Sequence, residues 1–364
     1  MKIKSVDTVH FGIDITDYEI NAKNLLNRLC YLKKIGQETR SAQKIELNKT
    51  ILTVELSGAR FYSYRLTCKD FTLLFADKPN FDNPPVQVLF SSNYLWSYGY
   101  QEAYNRFVEW FQAAFLLKID GTRISRLDVC VDTDEAEFKA KDISGVVTYS
   151  KSKTLHYDSP VDDVNYTGRQ FTGMTIGRGK SILCRIYNKT VEITKSGKEW
   201  FKEIWEKNKW DDTKPVWRVE FQLRRKVLKE FGINSVDESF EKIEGLWKYL
   251  TNLWLEIRKP VKGEKVTNWS VTKKWKVVQS AINYDVPALI RSRIKQGNLE
   301  KIKAQAGGLL ISIGAAEQIE NMDETLESLK DYLHEKLKKK GKKFSIEVNK
   351  RKGQYMGGLS YANS

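Results

Sequence analysis

Three separated segments of this chain alternate with a period of two, and that alternation constrains the fold more than any other feature. In Arg126 to Asp132 (RLDVCVD), Leu127, Val129 and Val131 fall on one side, with Asp128, Cys130 and Asp132 on the other. In Trp217 to Arg224 (WRVEFQLR), Trp217, Val219, Phe221 and Leu223 face a core, leaving Arg218, Glu220, Gln222 and Arg224 opposite. Leu183 to Lys189 (LCRIYNK) separates less cleanly, yet Arg185, Tyr187 and Lys189 align against Ile186. Such segments read as strands of a sheet buried on one face. If they are neighbours, their polar faces gather acids, a tyrosine and bases on one surface. A merely solvated face is the plain alternative, but solvated strand faces more often carry Thr, Lys and Ser than acids amid apolar neighbours.

The rest of the chain fits an α+β protein built on an antiparallel sheet. Strand-like stretches run from Met1 to about Arg225, interrupted by helical ones near Asn24 to Lys34 and Gln101 to Leu117. Beyond Arg225, Phe240, Ile243, Leu246, Trp247, Leu250, Leu253, Trp254 and Ile257 recur at helical spacing behind a Ser235-x-x-Glu238 capping box. The expected division is therefore an α+β region over residues 1–230, a mostly helical region over 231–335 and a basic, flexible tail over 336–364, with the boundary near Lys226 to Ser235. Lys259 to Ser270 reads as a loop. Asp285 to Gln296, Gly297 and the run from Asn298 suggest a helix-turn-helix-like pair, with Arg291, Arg293, Lys295, Lys301 and Lys303 available to phosphates.

Lys and Arg number 61 against 46 Asp and Glu, a formal net charge of +15, which suits a polyanionic partner. Ten Trp, 17 Tyr and 16 Phe add rings able to stack on unpaired bases. No run of about 18 apolar residues is present and the start lacks a secretory signal, so a cytoplasmic, membrane-free protein is expected. Cys30, Cys68, Cys130 and Cys184 form no C-x-x-C pair and are expected as reduced thiols.

The polar set suggests phosphodiester chemistry. A tyrosine hydroxyl is protonated at neutral pH; Arg185 and Lys189 are expected to favour its anion. Asp128, Glu220, Asp132 and Glu55 offer the oxygen ligands that suit Mg²⁺ or Mn²⁺. The same carboxylates would otherwise pair with Arg126, Arg218 or Arg224. In-line attack by Tyr187 on a phosphodiester gives a 5′-phosphotyrosine link and frees a 3′-OH.

At these residues the chain resembles the trans-acting replication initiators of rolling-circle plasmids, whose relatives include the T-type relaxases of integrative conjugative elements. Thr172 to Lys189 (TGMTIGRGKSILCRIYNK) resembles the family's pattern of Gly, Thr, a short strand, Gly, Ser and R-I-Y-x-K. RISRLDVCVD and WRVEFQLRR resemble its acidic strands, and LTVELSGARFY, Leu52 to Tyr62, its early E-L-S-G segment. The resemblance covers roughly residues 45 to 260. It implies an HUH-like nicking fold without the paired His, with Tyr187 as nucleophile and Arg185 and Lys189 beside it. It also implies a double-strand origin on plasmid or mobile-element DNA, a bacterial host, a superfamily-one helicase and a homodimer. The family's pairing of bases around its glycine is altered here to Gly177-Arg178-Gly179-Lys180. With only His10, His156 and His334 in the chain, carboxylates would replace the paired His.

Arg178, Lys180, Arg218 and Arg224 are the expected DNA contacts, with Tyr166, Phe171 and Tyr157 for unpaired bases; His156 is expected in a loop. The chain is expected to be a plasmid or phage initiator. A conjugative relaxase would use the same chemistry, and a non-catalytic DNA-binding regulator would fit the charge but leave Tyr187 among acids unexplained. Origin recognition is open between the C-terminal helices and the early β segment.

Overall fold

A computed structural model of the chain describes residues 1–78, 83–158, 169–179, 181–281, 286–291 and 299–355, the side chains at 299–302 and 350–355 excepted. Its strands are β1 (Lys2–Asp14), β2 (Gln43–Leu47), β3 (Thr50–Val54), β4 (Tyr64–Thr67), β5 (Phe71–Phe75), β6 (Val86–Phe90), β7 (Gly121–Thr133), β8 (Val146–Thr148), β9 (Lys153–Asp158), β10 (Gln170–Gly177), β11 (Ile182–Asn188), β12 (Trp217–Arg224) and β13 (Leu255–Ile257). Among the described residues eleven of them form one antiparallel sheet in the order β2-β3-β4-β5-β6-β1-β7-β12-β11-β10-β9, while β8 and β13 pair separately. This is the expected α+β architecture, and its three alternating segments are neighbours: β7, β12 and β11.

The apolar face of the sheet is covered by helices. α1 (Tyr18–Asn21) and α2 (Lys23–Thr39) lead into β2, and Leu26 and Leu29 of α2 join Ile45 and Leu52 in the core. α3 (Ser92–Tyr98) is followed by α4 (Tyr100–Phe115), whose Phe107 meets Phe11, Phe71 and Phe90 edge-on with ring centroids 5.1 to 5.8 Å apart. Edge-to-face rings add about 0.5–1.5 kcal/mol per pair beyond area burial, which helps to fix one packing for α4. On the opposite, polar face, α5 (Lys189–Ser196) and α6 (Trp200–Lys207) connect β11 to β12 and cover Asp132 and Arg218. Ile193, Phe201 and Trp205 form a smaller cluster with Trp96 and Cys130.

α7 (Arg225–Glu230), α8 (Val236–Glu241), α9 (Ile243–Tyr249) and α10 (Lys273–Gln279) continue on the same core. The Ser235 hydroxyl caps α8 by accepting from the Glu238 N–H, while Glu238 reaches back to the Asn234 N–H, one residue beyond the usual capping-box position. The compact unit runs from Met1 to Arg291, past the boundary expected near Lys226 to Ser235. The reason is packing: Phe240, Leu246, Trp247 and Trp275 belong to the same buried cluster as Phe221 of β12. The helical period also stops sooner than expected. A π-type turn over Leu250–Trp254 ends it, and Ile257 lies in β13. The Lys259 to Ser270 region is a loop apart from one short 3₁₀ turn, as expected.

Of the first expected C-terminal helix, residues 286–291 are described, and they are not helical. Pro287 stands there, Leu289 N–H donates to the Gly245 carbonyl, and Arg291 pairs with Glu230 at 2.7 Å. Arg293 and Lys295 lie outside the described residues. A second compact unit, Ser292–Ser364, contains α11 (Leu299–Glu317), α12 (Met322–Lys339) and α13 (Phe344–Tyr355). Lys303 is exposed on α11; Lys301 lies where side chains are undescribed. The Lys-rich run expected as a flexible tail instead forms the last turn of α12, where cations favour the helix dipole, and leads into α13. Among the described residues no helix is long and apolar enough to cross a membrane. The cysteines are unpaired.

Candidate active site

The register of the sheet brings the polar residues together. Across β11 and β12, Tyr187 stands opposite Arg218 and Arg185 opposite Glu220; across β12 and β7, Arg218 meets Asp132 and Gln222 meets Asp128. On the other side of β11, Tyr187 faces Gly173 of β10. A side chain at Gly173 would place its Cβ 2.5 Å from the Ile186 carbonyl and 2.8 Å from Tyr187 Cβ, so only glycine lets β10 pass that close to the tyrosine. Above these strands opens a cleft of about 700 Å³, lined among others by Asp7, Asp128, His156, Arg185, Tyr187, Lys189 and Glu220.

On its floor the Tyr187 hydroxyl donates to Glu220 Oε2 at 3.1 Å, and Arg185 Nη2 donates to Glu220 Oε1 at 2.5 Å. The same Arg185 nitrogen lies 3.6 Å from Asp128, whose two oxygens accept from Arg126 Nε and Nη2 at 2.8 and 2.5 Å. Burial and then the Glu220 charge push the Tyr187 hydroxyl well above its ordinary value. The expectation that Arg185 and Lys189 favour the tyrosinate is thereby corrected: Arg185 is spent on carboxylates, and Lys189 turns to Glu192. Burial, opposed by Arg126 and reinforced by Glu220, raises Asp128 to about 6.

Beneath the cleft lies a sealed ionic layer. Arg218, with no exposed surface, donates Nε and Nη2 to Asp132 at 2.5 and 2.8 Å and Nη1 to Asp7 at 2.6 Å. The Trp205 indole also donates to Asp132 at 3.0 Å. The Trp96 and Phe201 rings lie 4.8 and 4.7 Å from the guanidinium. Asp132 and Arg218 therefore do not reach the cleft, which was their expected place as metal ligand and DNA contact. Asp7 was missed from the sequence. A bulge between Val6 and Thr8 aims it at this layer, although an acid inside an apolar strand was a signal of the kind read at Asp128. Burial would raise its carboxyl, but Arg218 and then Lys189 outweigh that and hold it at about 2.

The remaining expected residues divide. His156 lies on β9 and lines the cleft, its Nε2 2.8 Å from the Thr175 hydroxyl, rather than in a loop. Lys189 is buried, its ammonium 4.4 Å from the Phe201 ring. Arg178 is exposed at the β10–β11 turn; Lys180 and Tyr166 fall outside the described residues. Phe171 is stacked on Trp217 at 6.0 Å and packed against the core, whereas Tyr157 beside it is 44% exposed. Arg224 is exposed but lines a different cleft. Glu55, which accepts from Thr67, follows β3, and six strands separate β3 from β11.

Among the described residues no three metal-ligating side chains converge. Asp128 and Glu220 line the cleft, but all four of their oxygens accept from Arg126, Arg185 and Tyr187, so a hard cation would have to take the place of the Arg185 nitrogen that lies between them. Two carboxylates plus substrate phosphate are a usual Mg²⁺ environment. Asp132 does not belong to such a set.

His10, on the polar face of β1, is mostly buried. Burial, then Arg126 and Arg224, lower it to about 3. Below about pH 6.5 the unfolded chain takes up a proton that the folded chain refuses until about pH 3. Stability should therefore fall with pH across that window, by up to about 1.4 kcal/mol per unit. Denaturant titrations at pH 6.5 and 5 should show His10→Gln losing about 2 kcal/mol less than the parent; equal losses would mean that the imidazole is accessible to protons.

No family model matches the chain, and no curated protein does. A solved structure of a rolling circle replication initiator protein from Geobacillus stearothermophilus superposes with a TM-score of 0.46 at 14% identity, covering 80% of this chain and all of the other. A likeness this weak leaves the chemistry to be argued from the side chains.

Proposed function

We propose that this protein is a rolling-circle replication initiator: a single-strand DNA nickase and strand transferase with Tyr187 as nucleophile. The observation that carries this reading is the Tyr187 hydroxyl hydrogen-bonded to Glu220 in an open cleft, between Arg185 and a second carboxylate, Asp128. Since burial and Glu220 hold the hydroxyl protonated, activation falls to a base at the moment of attack. Tyr187 Oη attacks phosphorus as its proton passes to Glu220 Oε2; the P–O3′ bond breaks, and the departing oxygen takes a proton from water to leave a 3′-OH. The 5′-phosphotyrosine keeps the bond energy for religation. Arg126 and Arg185 line the cleft while bonded to Asp128 and Glu220, and the N–H groups not used in those bonds would hold the phosphate oxygens. Asp128 and Glu220 would hold Mg²⁺ or Mn²⁺, which supplies charge to polarise the phosphodiester.

The assay is incubation with supercoiled DNA carrying the native origin, with and without Mg²⁺ or Mn²⁺, followed by denaturing separation of nicked, protein-linked strands. Glu220→Gln keeps an acceptor for the hydroxyl but cannot take its proton at neutral pH. Nicking by this variant should fall by about 10²–10⁴-fold. An unchanged rate would remove Glu220 from the chemistry.

A further inference from the structure

The polar face of the sheet carries a second cleft, of about 660 Å³, on the half built from β1, β6 and the end of β12. Its lining includes five cations, Arg60, Arg123, Arg224, Arg225 and Lys229, and among the described residues no acid. The Tyr187 cleft, in contrast, balances five acids against five Lys and Arg. Arg123 pairs with Asp14 and Arg225 donates to backbone carbonyls. Arg60, Arg224 and Lys229 are exposed and have no ion-pair partner among the described residues. Among the described residues, like charge is therefore uncompensated there. Arg126 stands opposite Arg224 in the sheet and lines the Tyr187 cleft, so a row of guanidiniums joins the two.

The edge of this second cleft is built to present a ring and a charge. Ala59 and Tyr62 exchange both backbone hydrogen bonds, at 2.9 and 3.0 Å, and leave Arg60 and Phe61 at the tip of a tight turn. Arg60 adopts φ +52°, a left-handed conformation that costs a side-chain-bearing residue roughly 1–2 kcal/mol. Phe61 is 65% exposed. At Gly12, Pro84 comes so close that a Cβ would meet its Cγ at 2.0 Å, which lets the 83–85 segment close one side of the cleft.

We infer that this cleft is a second binding site for the same DNA, in which Arg60, Arg224 and Lys229 hold phosphates of a single strand and Phe61 stacks an unpaired base. Arg224 is six residues from Arg218, the partner of Tyr187, so the two places lie roughly 20 Å apart along β12 at about 3.3 Å per residue. The strand leaving the scissile phosphate would cross Arg126 to reach it. The inference takes from the nicking reading only that the ligand is DNA.

The test is fluorescence anisotropy of a labelled 20-nucleotide poly(dT) strand bound by the full chain carrying Tyr187→Phe, titrated between 50 and 200 mM salt. Adding Arg60→Gln, Arg224→Gln and Lys229→Gln together should flatten the slope of log affinity against log salt by about two, since each single-strand phosphate contact contributes about 0.7. Phe61→Ala should weaken binding roughly 5- to 150-fold with the slope unchanged. An unaltered slope in the triple variant, together with full affinity in Phe61→Ala, would overturn the site. So would competition by millimolar inorganic phosphate that displaces the strand completely, which marks a small-anion pocket, or stronger holding of a (dA)·(dT) duplex, which marks a duplex groove. Nicking by the parent protein is scored separately. A covalent adduct with an unaltered slope removes this site and leaves the nicking reading. A flattened slope with no adduct does the reverse.

Discussion

Tyr187→Phe should abolish both nicking and the covalent protein–DNA adduct, while origin binding changes by less than about twofold. The substitution removes one oxygen and its hydrogen bond to Glu220. Glu220 keeps the Arg185 guanidinium at 2.5 Å, so no buried charge is left unpaired, and the stability cost should stay near 1 kcal/mol. The phenyl ring still fits beside Gly173, and the cations that line the cleft are untouched. The measurement pairs adduct detection on a denaturing gel with anisotropy on the same DNA. Retained nicking, or an adduct mapped by peptide analysis to the exposed Tyr157, would move the nucleophile elsewhere.

Tyr187, Glu220 and Asp128 were legible because a period of two survives in sequence wherever a strand is regular and half-buried. The partners of each side chain were not, because pairing depends on register across strands far apart in the chain. Asp132 and Asp128 look equivalent in RLDVCVD, yet one faces the cleft and the other is closed off by Arg218 and Trp205. Asp7 was hidden by a bulge, which breaks the period that would have revealed it. The helical region after Arg225 was legible as helix, but its attachment to the sheet core was not, since an amphipathic face does not state what covers it. Lys189 shows the limit of charge reading: within R-I-Y-x-K it resembles an activating base, but in the fold it is buried over Phe201 and turned toward Glu192.

Arg218→Met should destabilise the protein by about 3–5 kcal/mol, because it strands the buried Asp132 carboxylate and removes a main partner of Asp7. Asp132→Leu alone should cost a similar amount by leaving the guanidinium unpaired on one side. The double variant should be more stable than either single one, since a buried pair replaced by apolar side chains of similar volume is often neutral. Asp7 keeps its donors from Ser92 at 2.8 Å and Trp96 at 3.1 Å, which limits the residual loss. Denaturant titration of the four proteins gives the coupling directly, and a clearly nonadditive cycle is expected because the two side chains share two hydrogen bonds. Additive losses would mean that the layer is not held by this pair. A different result would return Asp132 to the chemistry: an Asp132→Asn variant as stable as the parent but with metal-dependent nicking cut by 10²-fold or more. The sealed position of its carboxylate argues for the first outcome. Arg218 stands opposite Tyr187 on the neighbouring strand, but its hydrogen bonds go to Asp132 and Asp7, so its variants should register first in stability.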